Sequence, residues 1–119
     1  MSGARALKCR LLWKLARRHG WGSPVPAETL VTDALASAEQ GRGRDLVSDL
    51  RSEPYVGRQS GGYVLANDPD SQALVATRLR ETCGYSTLQI EATLSRFEQA
   101  GGFDAYNVDA LARELSAWE

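Results

Sequence analysis

Few side chains in this sequence have the types and spacing that site chemistry demands. Cys9 and Cys83 stand far apart, and with His19, the one histidine, they fall short of a standard zinc set. No metal site is expected. His19 closes Arg17-Arg18-His19-Gly20, where a helix-end dipole accounts for it better than catalysis does. The glycine clusters Gly41-Arg42-Gly43, Gly61-Gly62 and Gly101-Gly102 match neither a P-loop nor a dinucleotide fingerprint. No Ser-His-Asp or Cys-His pairing stands out, so neither enzymatic activity, a cofactor nor a small-molecule ligand is expected. What remains is positive charge. Arg10, Lys14, Arg17 and Arg18 gather on one side of a first helix, where they could hold phosphates without reading sequence. The competing reading is pairing with Glu91, Glu98, Asp109 and Glu114, within the chain or on a second copy.

The total charge conceals this arrangement. Fourteen Lys and Arg against fifteen Asp and Glu leave −1 over 119 residues, which excludes a strongly basic nucleic-acid coat and an acidic disordered tail. Residues 1–22 nevertheless hold six basic residues and no acid, whereas residues 85–119 hold two basic residues against six acids. No apolar run reaches the ~18 residues of a membrane span, and no membrane partner is expected. Met1 to Gly22 also fits a mitochondrial transit segment, being Arg-rich and acid-poor. Sparse cysteine favours a reduced cytoplasmic setting, with both thiols as small buried hydrophobes and no disulfide between them.

Mainly helical structure with one small β-hairpin, an α+β class, follows from the periodicities. Leu7, Leu11 and Leu15 recur at helical spacing and predict a helix over 4–19, stopped by Gly20. Ser23-Pro24-Val25-Pro26 suits only a short edge strand. A second helix is predicted over 26–38, then a turn at Gln40-Gly41-Arg42-Gly43, then a helix over 44–52 with Leu46, Val47 and Leu50 inward. Tyr55-Val56-Gly57-Arg58 and Gly62-Tyr63-Val64-Leu65, joined by glycine and serine, predict a hairpin over 55–65. Helices follow over 70–83, from Thr87 through Phe97, and from Val108 along Leu111, Ala112, Leu115 and Trp118. Ser86 to Gln89 has capping-box spacing, and Asn107 suits a helix cap.

The segment Asp45-Leu46-Val47-Ser48-Asp49-Leu50-Arg51, followed by Tyr55-Val56-Gly57-Arg58 and Gly62-Tyr63-Val64-Leu65, resembles a winged helix-turn-helix module. The likeness covers roughly residues 4–67. Asn67-Asp68-Pro69 through Cys83-Gly84-Tyr85 is similar to the tail of small prokaryotic and archaeal winged-helix proteins. The resemblance implies a transcription regulator that binds double-stranded DNA, with helix 44–52 in the major groove and hairpin 55–65 as the wing. It assigns DNA contact to Arg42, Arg44, Ser48, Arg51 and Arg58. Arg44 suits guanine, whose O6 and N7 match a guanidinium fork, and Arg42 suits a phosphate near a helix start. Residues 1–67 form the winged-helix module and 68–119 a helical extension of the same compact domain. Leu111, Leu115 and Trp118 would there join two copies in a homodimer, as palindromic operators favour. Against DNA stand Asp45, Asp49 and Glu53, which share the same helix and its exit. Arg44 and Arg51 would then be ordinary solvated charges, and the module an adaptor for another protein.

Overall fold

Leucines at every fourth position wind the start of the chain into a helix with one apolar side. In the computed structural model, which describes residues 3–19, 24–59, 62–66 and 68–118 (the side chains of 18, 19, 58 and 59 excepted), α1 spans Ala4–Lys14. It continues as a wider π-type helix over Leu15–His19. Leu7, Leu11, Leu12 and Leu15 are buried with Cys9 and Ala16. The expected stop at Gly20 lies outside the described residues, as does Trp21.

Helix α2, Ala27–Ala34, is shorter than the predicted 26–38, because Leu35 is already extended at φ −121°, ψ 148°. One 3-10 turn, Ser37–Glu39, leads into α3, Gln40–Val47, which tightens into a 3-10 stretch over Ser48–Ser52. The expected turn at Gln40-Gly41-Arg42-Gly43 is thus the beginning of α3, and the true turn lies before it. Packing explains the difference. Gly43 is buried where α3 meets α2, and a Cβ there would overlap Leu35 Cδ1 and come within 3.4 Å of Val31 Cγ1. This glycine allows close helix contact, at a cost of ~1 kcal/mol in helix propensity.

Strands β1, Val56–Gln59, and β2, Gly62–Leu65, pair antiparallel with Val56 opposite Leu65 and Arg58 opposite Tyr63. The edge strand expected around Val25 is a single bridge on the other side of β2. Val25 N donates to Tyr63 O at 2.9 Å, and Tyr63 N donates to Val25 O at 2.8 Å. Pro24 and Pro26 flank that bridge and have no N–H with which to lengthen it.

Asp68 caps α4, Pro69–Thr77, by accepting from Ser71 N at 2.9 Å. A π-type turn, Arg78–Thr82, extends it. The predicted capping box opens α5, Thr87–Thr93, where Ser86 and Gln89 satisfy each other's backbone N–H groups. Leu94, at φ −102° and ψ 80°, separates α5 from α6, Ser95–Gln99, while Ile90, Leu94 and Phe97 stay buried as predicted. Gly101 at φ 111° and Gly102 at φ 63° then turn the chain through the left-handed region, which side chains rarely adopt. Asn107 caps α7, Val108–Glu114. Because α7 ends there, Trp118 belongs to an extended tail and not to a helical stripe.

One hydrophobic core includes residues from Leu7 to Trp118, and two links hold its parts together. The first is a disulfide between Cys9 and Cys83, 74 residues apart with Cα atoms separated by 5.6 Å. This overturns the expectation of two free thiols: α1 packs beside the end of the α4 extension and brings the sulfurs together. Closing so long a loop contributes about 4–5 kcal/mol in the chain-entropy account. Reduction should therefore move the urea unfolding midpoint markedly downward, and an unchanged midpoint would contradict this.

The second link is a buried ion pair. Arg78 and Glu53 are 2% and 3% exposed, and Arg78 Nη2 donates to both Glu53 oxygens at 3.2 and 3.3 Å. Glu53 Oε1 also accepts from Trp118 Nε1 at 2.6 Å and from the Ser116 hydroxyl at 3.0 Å. The Arg78 guanidinium lies 4.1 Å from the centre of the Trp118 ring. Glu53 therefore points into the core and is not part of the acidic surface expected beside helix 44–52. Tyr55 is fully buried beside the pair, and burial pushes its phenol well above the usual tyrosine range. Arg78→Leu should destabilise the fold by about 3–5 kcal/mol in urea unfolding, because Glu53 would remain buried without its cation.

Candidate nucleic-acid interface

At 100° per residue α3 buries Gly43 and Val47 with Leu46 half-buried, and its 3-10 extension, at about 120° per residue, keeps Leu50 on the same side. The opposite side of α3 carries Gly41, Asp45 and, where the 3-10 stretch begins, Ser48, all exposed. Arg44 and Arg42 stand on the two shoulders of this small-residue ridge, and beyond it Arg51 shares the exposed face of Ser48 while Ser52 shares that of Asp49. Arg42 sits in the first turn of α3 and not in a preceding loop.

Each shoulder is structured by partners from another element. Arg44 Nε and Nη2 donate to Glu28 Oε2 and Oε1, both at 2.8 Å, so α2 and α3 are joined by a bidentate fork. That hydrogen bonding holds the Glu28 carboxyl below its ordinary range and raises Arg44. Both side chains are largely exposed, at 49% for Arg44 and 62% for Glu28, so the fork is readily exchanged for another ligand. Arg51 Nε donates to the Tyr63 hydroxyl at 3.0 Å, and its guanidinium lies 5.8 Å from that ring's centre. This contact ties the 3-10 extension of α3 to β2. Asp49 lies 3.8 Å from Lys8 Nζ of α1, which offsets its charge. Ser48 and Ser52 donate their hydroxyls to the Asp45 and Asp49 carbonyls at 2.9 Å. Arg58 occupies β1 opposite Tyr63, and its side chain lies outside the described residues.

The basic side of α1 is a second surface. Arg10 Nη1 bonds Glu39 Oε1 at 2.6 Å, and Glu39 directly precedes α3. Trp13 stacks on Tyr85 with ring centres 4.3 Å apart, and the exposed Arg17 lies 5.9 Å from the Trp13 ring centre. Lys14 is half-buried, and the Arg18 side chain lies outside the described residues. Two ion pairs of α1, Arg10–Glu39 and Lys8–Asp49, run to the start of α3 and to its 3-10 extension.

Trp118 corrects the expected dimer contact. Trp118 is 7% exposed, with its indole N–H on Glu53 and its ring against Arg78, so most of the side chain is spent within the chain. Leu111 and Leu115 are half-buried. Arg78 has one sequence signal, its place among Leu74, Val75 and Leu79 on an apolar helix. The Cys9–Cys83 and Lys8–Asp49 contacts had no local signal at all.

Among the described residues, no group of three or more His, Cys, Asp and Glu side chains could hold a metal ion. No described helix is long and apolar enough to cross a membrane. No family model, curated protein or solved structure matches the chain.

Proposed function

We propose that this chain is a cytoplasmic winged-helix protein that binds double-stranded DNA and regulates transcription without catalysing a reaction. Its reader is the helix that runs from α3 through Ser52, and its wing is the β1–β2 hairpin. The observation that carries the proposal is the small-residue ridge of Gly41, Asp45 and Ser48, flanked by arginines and anchored to the hairpin through Arg51 and Tyr63. A ridge without bulky side chains can descend into a major groove about 12 Å wide, with guanidinium groups reaching base edges and phosphates on either side.

Arg44 would exchange its Glu28 fork for guanine O6 and N7, because both partners present paired acceptors to the same planar donor. Ser48 would meet a base edge, and Asp45 would accept from a cytosine amino group. Arg42, Arg51 and Arg58 would hold phosphates. The basic face of α1, with Arg10, Lys14, Arg17 and Arg18, would extend that contact along the backbone. Two copies would pair through the helical extension, where Leu111 and Leu115 are the remaining apolar candidates and Trp118 takes no part. A protein-contact module is the second reading, favoured by the Asp45 carboxylate on the ridge and by the existing partner of Arg44.

Fluorescence anisotropy on duplex DNA at 50 and 200 mM salt separates the two. Neutralising about three to five phosphates per copy gives a slope of log K against log[salt] near −3 to −4.5. Arg44→Ala should weaken binding to a preferred site by about tenfold or more, the effect of losing a bidentate base contact. Glu28→Gln, which removes the competing carboxylate, should tighten it. Absence of binding at 50 mM would overturn the DNA reading, and sensitivity only to Arg10→Ala and Lys14→Ala would move the contact to α1.

A further inference from the structure

We infer that the Cys9–Cys83 disulfide and the cleft beside it form a thiol-exchange site for a small thiol bearing carboxylates, of the glutathione type. The site is independent of the DNA reading. Both cysteines line an open cleft of about 330 Å³, together with Arg5, Arg10, Thr82 and Tyr85. Both bonded cysteines thus contribute to the wall of a cleft open to solvent. Cys83 is the more accessible of the two, being half-buried, whereas Cys9 is 7% exposed.

The cleft's charge selects the class of thiol. Arg5 stands one helical turn before Cys9 on α1, and Arg10 is its neighbour in sequence. The acids near these cations are Glu39, bonded to Arg10, and Glu81, which lines an adjoining cleft together with Arg5. A guanidinium fork takes a carboxylate in bidentate fashion, so a carboxylate-bearing thiol is held with its sulfur toward the disulfide. An uncharged thiol gains nothing from those groups.

The small thiolate attacks Cys83 Sγ, the bond between the two cysteine sulfurs breaks, and its electron pair leaves on Cys9 Sγ as a thiolate beside Arg5. A second small thiolate attacks the mixed disulfide and releases the oxidised small disulfide, leaving Cys83 as a thiolate. The protein's cystine is reduced by two electrons, and two small thiols are oxidised to one disulfide. The reverse sequence, with the oxidised small disulfide as oxidant, restores the bond. A disulfide open to exchange also fits a reducing compartment, where such bonds are transient or sensing ones. Its opening would leave the Trp13–Tyr85 stack as a non-covalent contact between α1 and the start of α5.

The test compares reduction of the full, oxidised chain by glutathione and by uncharged 2-mercaptoethanol, followed by alkylation and intact mass. Arg5→Glu should lower the rate with glutathione by about tenfold, through reversed local charge, and leave the rate with 2-mercaptoethanol within about twofold. Cys9→Ser, exposed to oxidised glutathione, should accumulate a mixed disulfide at Cys83. Equal effects of Arg5→Glu on both thiols would overturn the proposal, as would an oxidised chain that retains two free thiols. If Cys9→Ser does not fold, the kinetic comparison decides alone, and a folded Cys9→Ser without adduct also overturns it.

Discussion

A buried charge sets the geometry of this molecule. Arg78 is carried into the core by the helix that also buries Val75 and Leu79, and the chain must bring it an anion. Glu53 supplies it from the point where the chain leaves the 3-10 extension of α3 and turns toward β1. Desolvating two ions is expensive, and their attraction offsets that cost only when the remaining lone pairs are used. Ser116 and Trp118 use them. The pair thereby fixes three parts of the chain at once: the exit from the 3-10 extension of α3, the extension of α4, and the C-terminal tail. Arg51–Tyr63 adds a second tie between that extension and the hairpin.

The same pair alters the electrostatics of the proposed DNA face. In the sequence, three acids accompany the arginines around residues 42–58, and they argue against a polyanion as partner. Folding turns Glu53 inward and sets Lys8 beside Asp49. Asp45 alone remains on the outer ridge. The near-neutral total therefore says little about this surface, because local charge and not net charge governs what a phosphate meets. Arg44 shows the complementary effect: it is exposed and cationic, yet already satisfied by Glu28. Binding would exchange one fork for another, which favours selectivity over raw affinity.

Local pattern made much of the fold legible. Leucine spacing located α1, the capping box placed the start of α5, and Asn107 marked α7. The hairpin came from its β-forming residues and its Gly-Ser connection. The misplaced features depend on contacts made across the fold. Gly41 and Gly43 have the composition of a turn, but Gly43 belongs in a helix because Leu35 leaves no room for a side chain. Trp118 continues the helical stripe in sequence, but its indole N–H is drawn to a carboxylate 65 residues away. The two cysteines meet only once α1 lies beside the α4 extension, a juxtaposition with no local signature. Candidate arginines were visible as residue types, whereas their partners were not.

Titration of the isotopically labelled chain with duplex DNA, followed by backbone amide shifts, tests DNA binding most directly. Binding through α3 and the hairpin predicts changes concentrated at Gly41, Arg42, Asp45, Ser48 and Ser52 and at Arg58 in β1, with smaller ones along the basic side of α1. Core amides around Arg78 and Glu53 should stay still, since the buried ion pair holds the proposed reader in place. Shifts confined to α1, or none at DNA concentrations well above that of the protein, would contradict binding through α3 and the hairpin.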